Sequence, residues 1–467
     1  MGILSFIKFL SCCLFLGQIP GQEVTEGTLV ELHNPAPPFN EKDPPPVWVQ
    51  LEGPHVDLQM RSPFQAEFNA PFVSKDTRLV FRLTGLDADP SQGFRDVAVT
   101  VIDSGPVVQQ LNTDGQSALD PELHPQLAEI VLQSAGELYE ISYSPESGEL
   151  DTQVSELEPI AKAASLVEAR NGPEYGQNTN GAAIYFNATS DNGTLQFFEA
   201  RRFGGAYEVR QLSSGEFDRI NQLPSQNPTA LTTYLAYATR ETDSPFGGGW
   251  ISYADTTAPN VDIRVTPVRP GYAGFRWIRG TSKFLTTLAS GPDAGQVLLV
   301  DAETGDQRVI TDDDGVKFDP YGWYAPEFGG NLALHATTDL SNLRIYRDSG
   351  AEFFEPVAEL DPPVPEGPRY VQSAEPFVAS DGRSFISLTL KDNPGSVFSD
   401  VTNSQIWLYG IEDGPQRFTL RCDNGAANVV RHEAEVVSGT DQILVYYNVL
   451  QPTGLIDLML CASGLPP

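Results

Sequence analysis

Basic residues, histidine, methionine and cysteine are all scarce in this sequence. Against 62 aspartates and glutamates stand 29 lysines and arginines, for a formal net charge of −33. Binding nucleic acid or an anionic membrane surface by counterion release needs a basic patch, and no segment supplies one, so both partner classes are excluded. The acidity otherwise reads as a device for solubility. The 5 histidines, His33, His55, His124, His335 and His432, form no His-x-x-x-His metal spacing. No Gly-x-Ser-x-Gly elbow and no phosphate loop occur in the sequence, which leaves serine hydrolase and nucleotidase chemistry without support. Long apolar runs are missing after the first residues, so no membrane-spanning helix is expected.

The opening residues differ from the rest. Lys8 is the one early charge, apolar residues run from Ile3 to Leu16, and the small residues Gly17 and Gly21 follow. Residues 1–22 are therefore expected to be a secretory signal peptide, which places the mature chain in a secreted, periplasmic or cell-surface setting. Leu10-Ser11-Cys12 is a faint lipoprotein-type cleavage site, but cleavage there would leave a very short apolar run. Of the 4 cysteines, only Cys422 and Cys461 lie beyond this leader, and in an oxidising compartment they are expected to pair.

Turn formers are plentiful, with 41 glycines and 37 prolines, which suits many short strands. The fold class expected is all-β, with a small sandwich in front of a β-propeller. Residues 23–46, with His33-Asn34-Pro35-Ala36-Pro37-Pro38 and Asp43-Pro44-Pro45-Pro46, read as a proline-rich linker. From Val47 short alternating runs begin: Val47-Trp48-Val49-Gln50-Leu51, Leu79-Val80-Phe81-Arg82-Leu83 and Asp96 to Val101. Their period of two marks half-buried strands, and residues 47–103 are expected to form one sandwich. Phe68-Asn69-Ala70-Pro71-Phe72-Val73, then Asp76 to Thr84, then Asp87 in a loop and the Asp96 strand, resemble the immunoglobulin-like repeats of the PKD and REJ type found in surface proteins. That resemblance implies a spacer or adhesion element and carries no catalytic residue. Asp87 and Asp89 are weak calcium candidates, set against the commoner turn aspartates that bond their own backbone.

Residues 104–125 read as a second linker, and a repeat occupies 126–467. Apolar centres fall near residues 185, 236, 285, 333, 386 and 445, a recurrence of roughly 50 residues, as in propeller blades. Six blades are visible, with five or seven also compatible. Third strands such as Gln296-Val297-Leu298-Leu299-Val300-Asp301, each ending in a turn that leads to a short fourth strand, resemble those of the TolB-type propellers. That resemblance implies binding of proteins or small ligands on the faces of the disc. Leu138-Tyr139-Glu140-Ile141-Ser142-Tyr143 is expected to latch the ring by completing the blade of residues 430–463, with a Cys422–Cys461 disulfide joining neighbouring blades at the seam.

Two carboxylates carry the candidate chemistry. Trp323-Tyr324-Ala325-Pro326-Glu327 is similar to the Trp-Ala-Pro-acid stretch of five-bladed glycoside hydrolases, and Glu366-Gly367-Pro368 to their general-acid motif. The resemblance implies that Glu366 is an acid acting with Glu327 on a sugar. Against it, Glu327 and Glu375 occupy equivalent places in the repeat as read from the sequence, and no early aspartate stands where water would be activated. The Thr311-Asp312-Asp313-Asp314-Gly315 stretch starts like a calcium loop but lacks the later ligand, which leaves Asp312 and Asp314 as weak metal candidates and a solvated turn preferred. Asn187-Ala188-Thr189 and Asn192-Gly193-Thr194 have the form of glycosylation acceptors. The expected function is non-catalytic recognition or scaffolding, with a protein or carbohydrate bound at a propeller face, no required cofactor and calcium left open. An extracellular glycoside hydrolase is the competing reading.

Overall fold

The computed structural model describes residues 22–467 apart from 26–28, 34–45, 54, 57, 71–75, 85–95, 103–104, 161–170, 241–248, 269–273, 339–341, 361–367, 396–399, 412–418, 424 and 466. Residues 1–21 of the expected leader, Asp87, Asp89 and Glu366 lie outside the described residues, while its last residue, Gln22, opens the first strand. The chain splits into two compact units, Met1–Gly105 and Pro106–Pro467. Among the described residues the regular structure is β-strand with a few 3-10 turns, and no helix is long and apolar enough to cross a membrane.

The front unit is a two-sheet sandwich. One sheet has the order β1 (Gln22–Thr25), β7 (Asp96–Ile102), β6 (Thr77–Thr84), β3 (Val47–Glu52), and the other β2 (Leu29–His33), β5 (Gln65–Asn69), β4 (Gln59–Ser62). Strand β1 runs parallel to β7, pairing Gln22 with Val99. Val30, Leu32, Trp48, Phe68, Phe81 and Val99 form the core between the sheets. The linker expected at 23–46 is corrected here, because its first part supplies two strands of the sandwich. In β2, Val30 and Leu32 turn inward while Leu29, Glu31 and His33 face out. A pair of inward residues followed by a proline tract is too brief a period-two signal to stand out.

The second unit contains seven sheets among its described residues. The first has β9 (Leu119–Leu123), β10 (Glu129–Ser134) and β11 (Glu137–Ser142). Blade 2 has β12 (Asn171–Asn178), β13 (Gly181–Thr189), β14 (Leu195–Phe203) and β15 (Ala206–Gln211); blade 3 has β16 (Asp218–Pro224), β17 (Tyr234–Arg240), β18 (Gly249–Asp255) and β19 (Ile263–Pro267). Blade 4 has β20 (Phe275–Trp277), β21 (Lys283–Thr287), β22 (Val297–Asp301) and β23 (Gln307–Val309); blade 5 has β24 (Phe318–Ala325), β25 (Asn331–Thr338), β26 (Asn342–Arg347) and β27 (Glu355–Leu360). Blade 6 has β28 (Tyr370–Val378), β29 (Ser384–Lys391), β30 (Ser404–Ile411) and β31 (Thr419–Arg421). Blade 7 has β32 (Val430–Ser438), β33 (Ile443–Leu450) and β34 (Ile456–Ala462), completed by β8 (Val107–Gln110) from the start of the unit.

The first strands touch one another in sequence from β9 through β12, β16, β20, β24, β28 and β32, and β32 returns to β9. That closed circuit defines a seven-bladed β-propeller whose innermost strands line its axis. The six apolar centres read from the sequence are the second strands of blades 2 to 7. The seventh, β10, does not stand out in the sequence, where the neighbouring Leu138 to Tyr143 stretch reads as the latch.

Closure differs from expectation in one respect. Strand β11 pairs with β10 as the third strand of the first blade, and the latch is β8, which pairs Val107 with Ala462 and Gln110 with Met459. The linker expected at 104–125 is thus corrected, since it contains both β8 and β9. Cys422, after blade 6, and Cys461, in β34, form a disulfide with Cα atoms 5.6 Å apart, joining neighbouring blades.

Candidate site at the propeller axis

Each innermost strand except β20 is broken near its start by a bulge. The pairing of β12 with β13 shifts between Asn171 and Glu174, β16 with β17 between Ile220 and Leu223, β24 with β25 between Phe318 and Tyr321, β28 with β29 between Gln372 and Glu375, and β32 with β33 between His432 and Glu435. Strand β9 does the same opposite Val131 and Gln133. At each bulge one residue has a left-handed backbone: Asp120 (φ 57°), Gly172 (54°), Asn221 (53°), Asp319 (46°), Ser373 (45°) and Glu433 (50°). Such φ values are uncommon for residues other than glycine and least costly for Asn and Asp. The next residue, Pro121, Pro173, Gln222, Pro320, Ala374 or Ala434, is buried. The one after it returns to the axis: Glu122, Glu174, Tyr321, Glu375 and Glu435. The bulge thus aims alternate side chains down the channel.

The bulges are held from the neighbouring blade. Buried Asn448 of β33 accepts a hydrogen bond from the Asp120 N–H at 3.0 Å and donates to the Ala118 carbonyl at 2.7 Å. Asn187 of β13 donates to the Arg219 carbonyl at 2.8 Å, and Thr287 of β21 to the Lys317 carbonyl at 2.5 Å. In each case the carbonyl belongs to the residue two before the left-handed one. Asn187 is therefore committed to the core, 4% exposed, and is not accessible as a glycan acceptor in the folded chain.

Six carboxylates, Asp120, Glu122, Glu174, Glu375, Glu433 and Glu435, meet at this axis with Arg276 and Tyr321. All are deep in the molecule yet partly exposed, as side chains lining a narrow channel are. Burial, reinforced by the charges of Glu433 and Glu375, pushes Asp120 up to about 7. Burial also raises Glu375 to about 7, Glu433 and Asp319 adding to the rise while Arg276 opposes it. Glu122, Glu174 and Glu435 are carried well above the ordinary carboxylate range by burial and by one another. Glu433 goes the other way. Burial would raise it, but the hydrogen bond and charge of His432, together with Arg276, hold it below the usual value. Burial disfavours the Arg276 cation, yet Asp319 and Glu375 outweigh it and raise the guanidinium. Burial lowers His335, behind this layer, to about 3, so its imidazole is neutral at pH 7. The arrangement concentrates carboxyls that are only partly ionised at pH 7 and sets Glu375, raised to about 7, near Glu433, which is held below the usual value.

The residues singled out from the sequence lie elsewhere. Glu327 sits in a 3-10 turn after β24, where its carboxylate accepts hydrogen bonds from the Ser384 N–H and, at 2.7 Å, from the Ser384 hydroxyl. Trp323 Nε1 donates to the same hydroxyl at 3.2 Å, so this Trp-to-Glu stretch clasps blade 5 to blade 6. The expected equivalence of Glu327 with Glu375 is corrected, since the bulges align Tyr321 with Glu375. Asp312 and Asp314 are exposed on their turn. The enclosed cation there is the fully buried Lys317 ammonium, which donates to the Asp313, Asp314 and Gly315 carbonyls and lies 2.9 Å from Asp313 Oδ1. Among the described residues no group of three or more His, Cys, Asp or Glu gathers to hold a metal ion.

No protein-family model matches the chain. No curated protein matches it either. Several solved structures are similar in fold. The Dos1 propeller is 9% identical with a TM-score of 0.44, covering 84% of this chain and 92% of its own. An oligogalacturonate lyase in complex with manganese is 11% identical with a TM-score of 0.45, covering 89% and 97%. Trypanosoma rangeli sialidase in complex with sialic acid is 10% identical with a TM-score of 0.40, covering 77% of this chain, which spans 59% of the sialidase.

Proposed function

We propose that this chain is an exported, non-catalytic recognition protein whose propeller receives a basic group of a protein partner in its acidic axial channel. The observation that carries this reading is the convergence of Asp120, Glu122, Glu174, Glu375, Glu433 and Glu435, contributed by β9, β12, β28 and β32, on one axis. Carboxylates crowded enough to raise one another gain when a cation replaces the protons they retain. The leader-like start and the disulfide support export. The front sandwich serves as a spacer of the PKD type, and the TolB-type likeness of the strands supports binding at a face of the disc. Fluorescence anisotropy with labelled oligolysine tests the reading: binding should weaken about tenfold in Glu375→Gln or Glu435→Gln and with added salt. Equal binding by wild type and both variants would overturn it.

A second reading rests on one specific observation, the split between Glu375, raised to about 7, and Glu433, held below the usual carboxylate value. Such a pair is the equipment of acid–base chemistry on a glycoside. It would use these residues in place of Glu327, whose carboxylate is engaged by Ser384. Hydrolysis of chromogenic glycosides by the wild type, abolished in Glu375→Gln, would establish it over the binding reading.

A further inference from the structure

A second cleft opens between blades 2 and 3, at the opposite end of β12 from the axial carboxylates. Glu174 and Asn178 are separated by four residues of strand, about 13 Å. The cleft has a volume of about 670 Å³, within the range of ligand sites. Its two walls are built in advance. On blade 2 the nearly buried Glu199 carboxylate accepts from Arg201 Nε at 3.1 Å and from Arg210 Nη2 at 2.8 Å, and Arg201 Nη1 donates to the Asn180 carbonyl at 3.1 Å. On blade 3, Asp255 Oδ1 accepts from the Thr232 hydroxyl at 2.6 Å and the Thr257 hydroxyl at 2.8 Å. Asn178 Nδ2 joins the walls by donating to the Thr233 hydroxyl at 3.1 Å.

Apolar side chains share the lining with these polar groups, Val209 together with the strongly exposed Phe203 (54%) and Leu231 (85%). Exposing such groups costs free energy that a ligand would recover. The charges lining the cleft cancel, Arg201 and Arg210 against Glu199 and Glu208, in a chain whose net charge is −33. Anions are repelled by the molecule as a whole, and cations find the Glu199 carboxylate already clamped by two guanidiniums. What matches is a neutral molecule with many hydroxyls, each able to donate to a carboxylate or amide oxygen and accept from an arginine or amide N–H. A pyranose also offers an apolar C–H face to lie on an exposed phenyl ring.

We propose that the cleft between blades 2 and 3 binds a neutral oligosaccharide, with Phe203 as the stacking platform and Arg210, Glu208, Asn180 and Thr257 as hydroxyl partners. This site is independent of the axial channel. The test is isothermal titration of the full chain with cellohexaose, maltohexaose, xylohexaose and mannohexaose, alongside hexagalacturonate and hexaglucosamine as charged comparators. At least one neutral hexaose should bind with a Kd near or below about 1 mM. Its affinity should fall about tenfold in Phe203→Ala, an exposed position whose loss leaves melting unchanged, and in Arg210→Ala, which also takes from Glu199 one of its two guanidiniums, and should be the same in Glu375→Gln. The proposal is overturned if no neutral hexaose binds, if binding survives in both cleft variants, or if a charged hexamer binds more tightly in a salt-dependent way.

Discussion

Single side chains in this propeller take positions that cations or water would otherwise fill. Lys317 is the clearest, a fully buried ammonium enclosed by three carbonyls and Asp313, whose carboxylate also meets Arg344 at 2.6 Å. Lys317→Met removes the ammonium and leaves those oxygens facing apolar atoms. Urea denaturation should show a loss of about 3 kcal/mol. The axial carboxylates give a pH signature of definite sign. Asp120 and Glu375 are raised to about 7, and Glu122, Glu174 and Glu435 are raised well above the ordinary carboxylate range, so between about pH 4.5 and 7 the folded chain holds more protons than the unfolded one. Stability therefore falls as pH rises through that window, and the melting temperature at pH 5 should exceed that at pH 8. Replacing Glu375 and Glu435 by Gln should flatten the difference. A melting temperature that climbs steadily from pH 5 to 8 would contradict the assigned shifts.

At the scale of the element, the recurring unit is more than four strands. A basic residue stands two places before the left-handed residue at Arg219, Lys317 and Arg431, and each is buried with its cationic head on backbone carbonyls. The spacing is visible in Arg219-Ile220-Asn221, Lys317-Phe318-Asp319 and Arg431-His432-Glu433, and two residues later stands the axial position. Second strands were legible in the sequence because they are rich in apolar residues and buried on both faces. The axial acids were not, because a bulge breaks period two where they occur and makes charged residues look like loop. Glu375 is legible as part of a repeat, but without the bulge its register is lost and Glu327 takes the place of Tyr321. Removing an inter-blade clasp should test the element directly. Asn448→Ala leaves the Asp120 N–H and the Ala118 carbonyl without their buried partner and should cost about 3 kcal/mol. It should also alter oligolysine binding, because Asp120 loses its support.

For the molecule as a whole, the ring is secured twice near its last blade, by β8 and by the disulfide. Cys422 and Cys461 are 39 residues apart, and a link closing a loop of that size restricts the unfolded chain by about 4 kcal/mol. Cys422→Ser with Cys461→Ser should lower Tm by several degrees without opening the ring, since β8 still pairs with β34. The pairing of these cysteines was legible from their number alone, whereas the closing strand was not. Val107–Gln110 is four residues long, lies in a Gly- and Pro-rich stretch, and gains its meaning only from a partner far along the chain. That distance has a consequence for how the protein is made. Asn112 and Leu458, which meet at the closure, are 346 residues apart. At a synthesis rate of roughly 5–20 residues per second, the first-made edge waits roughly 20 to 70 seconds for its mate. Throughout that interval blades 1 to 6 can stack in order while the polypeptide remains an open arc with a free edge at each end. Completion of the circle is then a single late event, and the nascent chain is most exposed to mispairing just before its final strand emerges.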